Sequence, residues 1–132
     1  MLATDLMHKH NIFHRDIKPD NILILDKNEM LVCIADLGLA CRREDLNALN
    51  SKCGTPGYVD PEVLEGTAFS TRSDVYSLGV LLFNLITGRY LFHGNDAEIV
   101  LEKNRKNIVI KTIEDTCFYA SSECKDLLNQ ML

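Results

Sequence analysis

Four side chains in the first third of the chain could together serve phosphoryl transfer. The stretch His-Arg-Asp-Ile-Lys-Pro-Asp-Asn at residues 14–21 contains Asp16, Lys18 and Asn21, and Asp36 follows further along. Phosphoryl transfer requires a carboxylate that accepts a proton, oxygen ligands that hold Mg²⁺ against the phosphates, and a cation that neutralises the transferring group. The chain supplies these three kinds of group with Asp16, Asn21, Asp36 and Lys18.

A predicted β-hairpin would bring two of these side chains to one place. Residues 22–25 form an apolar run, residues 26–29 (Asp-Lys-Asn-Glu) are typical of a turn, and residues 30–35 are apolar again. Because antiparallel pairing brings the outer ends of two strands together, we expect Asn21 and Asp36 to face a common site.

The rest of the chain is predicted to be mainly helical around one long loop. Residues 41–72 contain prolines and glycines with little periodicity, which predicts a long ordered loop. From Ser73 to Thr87 the pattern predicts a buried helix, capped by Ser73 and ended by Gly88, with an apolar face formed by Val75, Leu78, Leu82, Leu85 and Ile86. Shorter helical patterns cover residues 1–10, 96–104 and a last segment from residue 121 or 122 onward.

Composition excludes several classes of partner. The 132 residues carry a formal net charge of −5, which argues against a general nucleic-acid binder and gives no reason for attraction to anionic membranes. The five cysteines form no C-x-x-C pair, so free thiols in a reducing compartment are favoured over a zinc site or a disulfide framework. With no apolar core of a signal peptide and no membrane-length apolar run, we expect an intracellular protein, cytoplasmic or nuclear.

The motifs occur in an order that resembles the eukaryotic protein kinase family. Residues 14–21 resemble its catalytic loop, and Asp36-Leu37-Gly38 stands where the family usually has Asp-Phe-Gly. Residues 54–62 (Gly-Thr-Pro-Gly-Tyr-Val-Asp-Pro-Glu) resemble the end of its activation segment, with Asp60 in place of the usual Ala. Lys18-Pro19 and Gly54-Thr55-Pro56 resemble serine/threonine kinases, with a weaker leaning towards the calcium/calmodulin-dependent group.

The resemblance implies an ATP and Mg²⁺ site. By its position in the motifs, Asp16 is the catalytic base and Lys18 faces the γ-phosphate of ATP. Asn21 and Asp36 are the implied Mg²⁺ ligands, and Leu23 matches the residue that packs beneath the adenine ring.

The resemblance also implies a substrate contact and a switch. Thr55 would touch Asp16 and help to seat the acceptor hydroxyl of a protein substrate. Arg15 would pair with a phosphorylated activation-loop residue, which by position is Ser51. Phosphorylation of Ser51 by an upstream activating kinase would then order residues 36–62.

Three further residues are expected to be structural. By the resemblance, His14 packs and hydrogen-bonds without acid–base work, and Asp74 braces the backbone of the catalytic loop. Glu62 pairs in the family with a late Arg, but no Arg follows Arg105 in this sequence. A charge at Asp60 would be harmless if exposed and costly if buried.

The predicted fold class is mainly α with a small β-hairpin, corresponding to an incomplete C-terminal lobe of the α+β protein kinase fold. Residues 1–132 would form one partial kinase domain with catalytic loop 14–21, activation segment 36–62 and buried helix 73–87. No glycine-rich loop, strand Lys or hinge precedes residue 14, so the N-lobe is expected to be absent and ATP to meet only the floor of its site. Partners would then include the missing N-lobe or a longer parent chain. Alone, the chain would be an inactive fragment, or alternatively a kinase-derived docking or scaffold module.

Overall fold

The computed structural model describes residues 2–107 and 109–132. Within them, helices predominate and there are two small antiparallel two-stranded sheets, one pairing residues 12–13 with 41–42 and the other pairing residues 22–26 with 31–34. The elements in chain order are α1 (Leu2–Lys9), β1 (Ile12–Phe13), a 3₁₀ turn (Pro19–Asn21), β2 (Ile22–Asp26), β3 (Leu31–Ile34), β4 (Cys41–Arg42), α2 (Leu46–Leu49), α3 (Pro61–Leu64), α4 (Thr71–Thr87), α5 (Ala97–Lys106), α6 (Val109–Thr116) and α7 (Ser122–Met131).

The predicted hairpin is confirmed. Strands β2 and β3 pair with Ile22 opposite Ile34 and Ile24 opposite Val32. The Asp26 carboxylate accepts hydrogen bonds from the Asn28 and Glu29 amides of the turn, which fixes the reversal of the chain. Beyond the strands, the Ala35 amide donates to the Asn21 carbonyl at 2.8 Å. The backbone entering β2 is therefore held against the backbone leaving β3.

Helix α4 begins at Thr71, two residues before the predicted start. Ser70 is its N-cap, and Ser73, predicted to be the cap, is instead the third helical residue. The Ser73 hydroxyl accepts from the Ser70 amide while the Ser70 hydroxyl accepts from the helix, so the two serines form a reciprocal capping box. Gly88 ends the helix as predicted, in the left-handed conformation with φ of 65°.

The more deeply buried side of α4 is not the face predicted from periodicity. Tyr76, Val80 and Phe83 lie in the core, whereas the predicted face is only half-buried and Leu85 is 75% exposed. Apolar residues surround this helix, so periodicity alone could not select the side that packs most tightly.

The segment predicted as a long loop contains short regular elements. Asp45 caps α2 by accepting from the Ala48 amide, and Asp60 caps α3 by accepting from the Glu62 amide, with Pro61 at its first position. These helices have four residues each, which is too short for a periodic pattern to predict.

The C-terminal helices were predicted in part. Helices α5 and α7 are confirmed, with Asp96 and Ser121 as their N-caps. Helix α6 was missed, although Val109 and Ile113 lie one turn apart and are both buried.

Two apolar clusters form the core on either side of residues 54–60. Tyr58 belongs to the cluster that α4 forms with α6 and α7, and Val59 belongs to the cluster around Phe13, Val63 and Phe69. Among the helices that the structure describes, none has both the length and the apolar character needed to cross a bilayer.

Candidate active site

Asp16, Lys18 and Thr55 form a closed triangle of polar contacts. The Thr55 hydroxyl donates to Asp16 Oδ1 at 2.6 Å and accepts from Lys18 Nζ at 2.8 Å. Lys18 Nζ lies 2.9 Å from the other carboxylate oxygen, Asp16 Oδ2. The catalytic-loop segment and the end of the predicted activation segment, 39 residues apart for Asp16 and Thr55, are thus joined at one carboxylate.

The environment of Asp16 keeps its carboxylate ionised. Burial raises the pKa of Asp16, but hydrogen bonds from Thr55 and Lys18, the charge of Lys18 and the amide of Asn21 outweigh burial and hold the pKa below its ordinary value. At neutral pH this carboxylate is therefore charged, and it accepts hydrogen bonds at the positions where the Thr55 hydroxyl and the Lys18 ammonium lie.

Asn21 and Asp36 each have an oxygen that no described protein donor contacts. The buried Asn21 amide donates from Nδ2 to the Asp16 carbonyl at 2.8 Å and to Asp16 Oδ2 at 3.2 Å. Asp36 Oδ1 accepts from the Gly38 amide at 3.0 Å. Among the described residues, no protein donor contacts Asn21 Oδ1 or Asp36 Oδ2. This pair of hard oxygen donors fits the ligand preference of Mg²⁺.

Asp74 fixes the backbone of the predicted catalytic loop. Its fully buried carboxylate accepts from the His14 amide at 3.0 Å and from the Arg15 amide at 2.9 Å. Arg15 has a φ of 69°, an uncommon conformation for a residue with a side chain, and these two bonds hold it there. The contact joins the first turn of α4 to the residue immediately before Asp16.

His8 is a site residue that the sequence reasoning missed. Its Nε2 lies 2.8 Å from Asp74 Oδ2, so it supplies the third hydrogen bond to that carboxylate. Its ring also packs edge-on against Phe13 at 5.8 Å between centroids. The signal in the sequence was a histidine at the end of α1, but its partner lies 66 residues away.

His14 contacts two backbone groups and no reacting group. Its Nε2 lies 3.1 Å from the Ala35 carbonyl, and its Nδ1 lies 3.3 Å from the Asp16 amide. The neutral ring with its proton on Nε2 satisfies both contacts, because Nε2 then donates and Nδ1 accepts. The ring links the chain before Asp36 to the chain at Asp16.

Arg15 and Ser51 are in contact. The guanidinium donates from Nη1 to the Ser51 hydroxyl at 3.1 Å and to the Ala48 carbonyl, and from Nε to the Leu39 carbonyl at 2.7 Å. The Ser51 hydroxyl itself donates to the Ala48 carbonyl at 2.7 Å. The Arg15 guanidinium thus donates its hydrogen bonds to neutral oxygen atoms.

Leu23 and Glu62 lie outside the triangle. The Leu23 side chain is 48% exposed on β2, directly after Asn21 and the first strand residue. The Glu62 side chain is exposed on α3 and forms no ion pair with any described residue. Asp60 is buried, with 8% of its surface exposed, and its carboxylate accepts from the Glu62 amide as the cap of α3.

A cavity of about 440 Å³ opens beside Thr55. It lies between the catalytic loop, the segment after Thr55 and the C-terminal half of α4, and its lining includes Asp20, Tyr58, Asn84 and Tyr90. Burial raises the pKa of Tyr58 to about 12, and the nearby Tyr90 and Asp20 add to the shift, so the Tyr58 hydroxyl stays neutral. Thr55 therefore links the cavity, which it lines, to Asp16, which it contacts.

Comparisons with known proteins agree with this geometry. The family model described as Protein kinase domain matches residues 1–132. CBL-interacting serine/threonine-protein kinase 10 of Arabidopsis thaliana is 42% identical over 109 residues, covering 79% of this chain and 22% of that protein. CBL-interacting protein kinase 11 of Oryza sativa subsp. japonica is 40% identical over 136 residues, covering 98% of this chain and 25% of that protein.

A third relative broadens the comparison. Serine/threonine-protein kinase ATG1b of Arabidopsis thaliana is 34% identical over 128 residues, covering 96% of this chain and 18% of that protein. The chain spans about a quarter or less of the length of these relatives. With the triangle at Asp16, the oxygens of Asn21 and Asp36, and a kinase-domain match along its whole length, the chain belongs to the eukaryotic serine/threonine protein kinase family.

Proposed function

We propose that this chain is the catalytic part of a C-terminal lobe that, within a longer protein, transfers the γ-phosphate of ATP to serine and threonine hydroxyls of proteins. The observation that carries the proposal is the triangle of Asp16, Lys18 and Thr55, to which Asn21 is hydrogen-bonded. The oxygens of Asn21 and Asp36 that no described protein donor contacts add to it. In this proposal Asp16 would accept the hydroxyl proton, and Asn21 and Asp36 would hold a cation.

Each residue has a distinct role in this proposal. ATP with Mg²⁺ supplies the phosphoryl group and charge neutralisation, and Asn21 and Asp36 would hold the metal. Asp16 accepts a hydrogen bond from the substrate hydroxyl in the place where Thr55 now donates. As Lys18 turns from Asp16 towards a phosphate, Asp16 loses its nearest positive charge and becomes a stronger base.

The adenine end of the ATP site would be completed by residues outside this chain. Leu23 offers an exposed apolar side chain on which a base could stack, and its neighbours on the hairpin are exposed as well. The short span relative to the curated relatives supports an N-lobe supplied by a longer protein. We therefore expect the 132 residues alone to be inactive. The grouping with calcium/calmodulin-dependent kinases stays a prediction.

A transfer assay tests this proposal. The 132-residue chain and a longer form of the protein would be incubated with γ-labelled ATP, Mg²⁺ and a mixed Ser/Thr peptide library. We expect transfer only by the longer form, and its loss on Asp16→Ala or Asp36→Ala. Asp5→Ala is the matched control, because Asp5 is exposed and its one ion pair among the described residues is with Lys9, one turn away. Full transfer by the longer Asp16→Ala variant would refute the assignment.

Phosphorylation of Ser51 by an upstream kinase is the proposed switch. A phosphate there would place a dianion within reach of Arg15, which now contacts the Ser51 hydroxyl and two carbonyls. We expect phospho-Ser51 to slow proteolysis within residues 36–62, and Arg15→Gln to remove that protection. Equal proteolysis with and without the phosphate would contradict the switch.

A docking module without catalysis is the second candidate. The observation that favours it is the exposed apolar hairpin, where Ile24, Leu25 and Val32 are 61%, 59% and 55% exposed. The same assay discriminates, because a docking module would transfer no phosphate in any longer form.

A further inference from the structure

A buried asparagine joins helix α5 to the segment that contains Thr55. Asn104 has no exposed surface, although its neighbours on α5, Lys103 and Arg105, are exposed. Its amide donates from Nδ2 to the Val59 carbonyl at 2.7 Å and accepts at Oδ1 from the Tyr76 hydroxyl at 2.8 Å. Both ends of the amide are therefore used, and the contact joins three parts of the chain.

Two consecutive carbonyls of the segment at residues 54–60 are bonded by side chains. Backbone amides serve the Thr55 and Asp60 carbonyls, but the segment lies outside the strands and α-helices, so the Tyr58 and Val59 carbonyls between them need other donors. The Val59 carbonyl has the amide of Asn104, and the adjacent Tyr58 carbonyl accepts from the Ser77 hydroxyl of α4 at 2.7 Å. Two consecutive carbonyls are thus fixed by two different helices, and Thr55 at the other end of the segment contacts Asp16.

Tyr76 fixes the orientation of Asn104. The Tyr76 ring is 4% exposed, and burial raises the pKa of its hydroxyl well above the usual value, so it remains a neutral donor. With Oδ1 held by this hydroxyl, the Asn104 amide nitrogen must face the Val59 carbonyl. Loss of either side chain would leave a buried polar group without its partner, which is costly in a low-dielectric interior.

We propose that Asn104 and Tyr76 form a latch that sets the position of residues 54–60 against Asp16, and that both are positioning residues for the acceptor peptide. This inference rests on the proposed function, because it concerns the same site. Neither residue touches a reacting atom. They act through the Val59 carbonyl on the segment that carries Thr55 and lines the cavity beside it.

Hydrogen exchange tests the latch without any need for catalysis. Asn104→Leu keeps the approximate size of the side chain and removes both hydrogen bonds, and Tyr76→Phe removes only the hydroxyl. Thr87→Val is the control, because its hydroxyl on α4 donates to the Phe83 carbonyl and not to the segment. We expect amide exchange within residues 54–63 to accelerate roughly tenfold in Asn104→Leu and less in Tyr76→Phe, with residues 122–131 unchanged.

Either of two exchange results would overturn the latch. One is unchanged exchange within residues 54–63 in both variants. The other is equal acceleration throughout the chain, which would mean a general loss of stability. If Asn104→Leu does not fold, Tyr76→Phe still gives the answer, because it deletes a single oxygen.

Steady-state kinetics on a longer, active form test the positioning role. We expect Tyr76→Phe to raise KM for the acceptor peptide several-fold while KM for ATP and its pH profile stay as in the parent. Equal rises in both KM values would overturn the role. An inactive parent protein would count against the proposed function only, since the exchange experiment reads the segment independently.

Discussion

At the scale of single residues, Asp16 is the group whose surroundings most directly determine what the site can do. It accepts hydrogen bonds from Thr55, Lys18 and Asn21, so a carboxylate that is nearly buried stays charged. The same contacts make it a weak base in this state. Catalysis by this residue therefore requires that its present partners be exchanged for substrate and phosphate groups.

The depressed pKa of Asp16 predicts a pH-dependent contribution to stability. A carboxyl with a folded-state pKa below the unfolded value of about 3.9 stabilises the fold fully above that value, and the contribution is lost as pH falls through the folded-state pKa. Asp16→Asn should cost about 1–3 kcal/mol at pH 6, and the difference from the parent should shrink below about pH 4. Urea unfolding between pH 2.5 and 6 measures it.

Thr55→Val provides the matched variant for this prediction. It removes the shortest hydrogen bond to Asp16, so the pKa of the carboxyl should rise and the loss of stability should begin at higher pH than in the parent. If the free energies of unfolding of the parent and of Asp16→Asn differed by a constant amount over the whole pH range, the lowered pKa of Asp16 would be contradicted.

Residue types and spacing predict which side chains make up the candidate site, but not how these side chains are arranged. Asp16, Lys18, Asn21 and Asp36 follow from one short stretch and a hairpin. The contacts of His8 with Asp74 and of Asn104 with Val59 could not be predicted, because the partners are 66 and 45 residues apart in sequence. Likewise, the two carbonyls that accept from Arg15 are backbone groups of Leu39 and Ala48, so no side-chain type in the sequence marks them.

At the scale of elements, α4 connects the two halves of the chain. Its first turn holds the predicted catalytic loop through Asp74, and the helix packs against α7. In its second turn, Ser77 donates to the Tyr58 carbonyl and Tyr76 donates to Asn104. A long helix with a cap, an apolar pattern and a terminal glycine is predictable from local sequence. Four-residue helices such as α2 and α3 are not, because only their caps mark them.

The contact between α4 and α7 predicts a penalty for a methyl group at Gly79. A Cβ at this position would lie 2.9 Å from Met131 Cβ and 2.9 Å from Leu132 Cδ2. Alanine favours a helix over glycine by about 1 kcal/mol, but overpacking a tight contact costs about 1–3 kcal/mol. We therefore expect Gly79→Ala to lower the free energy of unfolding by up to about 2 kcal/mol, measured by urea denaturation.

A second substitution separates packing from helix propensity at Gly79. Leu132→Ala removes two of the three atoms nearest the new methyl group, so Gly79→Ala should cost less in that background. Stabilisation by Gly79→Ala in the otherwise unchanged chain would mean that α7 does not lie against α4 as closely as described.

At the scale of the whole molecule, a contiguous group of exposed apolar side chains lies on one hairpin. Leu23, Ile24 and Leu25 on β2 and Leu31 and Val32 on β3 are each about half exposed or more. Both faces of this two-stranded sheet therefore lack a cover within the described residues, next to the oxygens of Asn21 and Asp36. In the proposed function, a longer protein would cover this surface when it completes the ATP site.

This surface predicts that the 132-residue chain self-associates. Contiguous exposed apolar groups on an antiparallel ribbon drive association, and a charged pair placed across the ribbon should oppose it while keeping the strands paired. Ile24 and Val32 are directly opposite each other, so Ile24→Lys with Val32→Glu is the variant of choice. We expect sedimentation velocity to show concentration-dependent association of the parent and a monomer for the double variant, with the same thermal midpoint. Leu85→Lys, which introduces one charge at an exposed leucine on α4 outside the hairpin, is the control and should leave association unchanged. A parent chain that stays monomeric at high concentration would show that the exposed hairpin does not mediate association on its own.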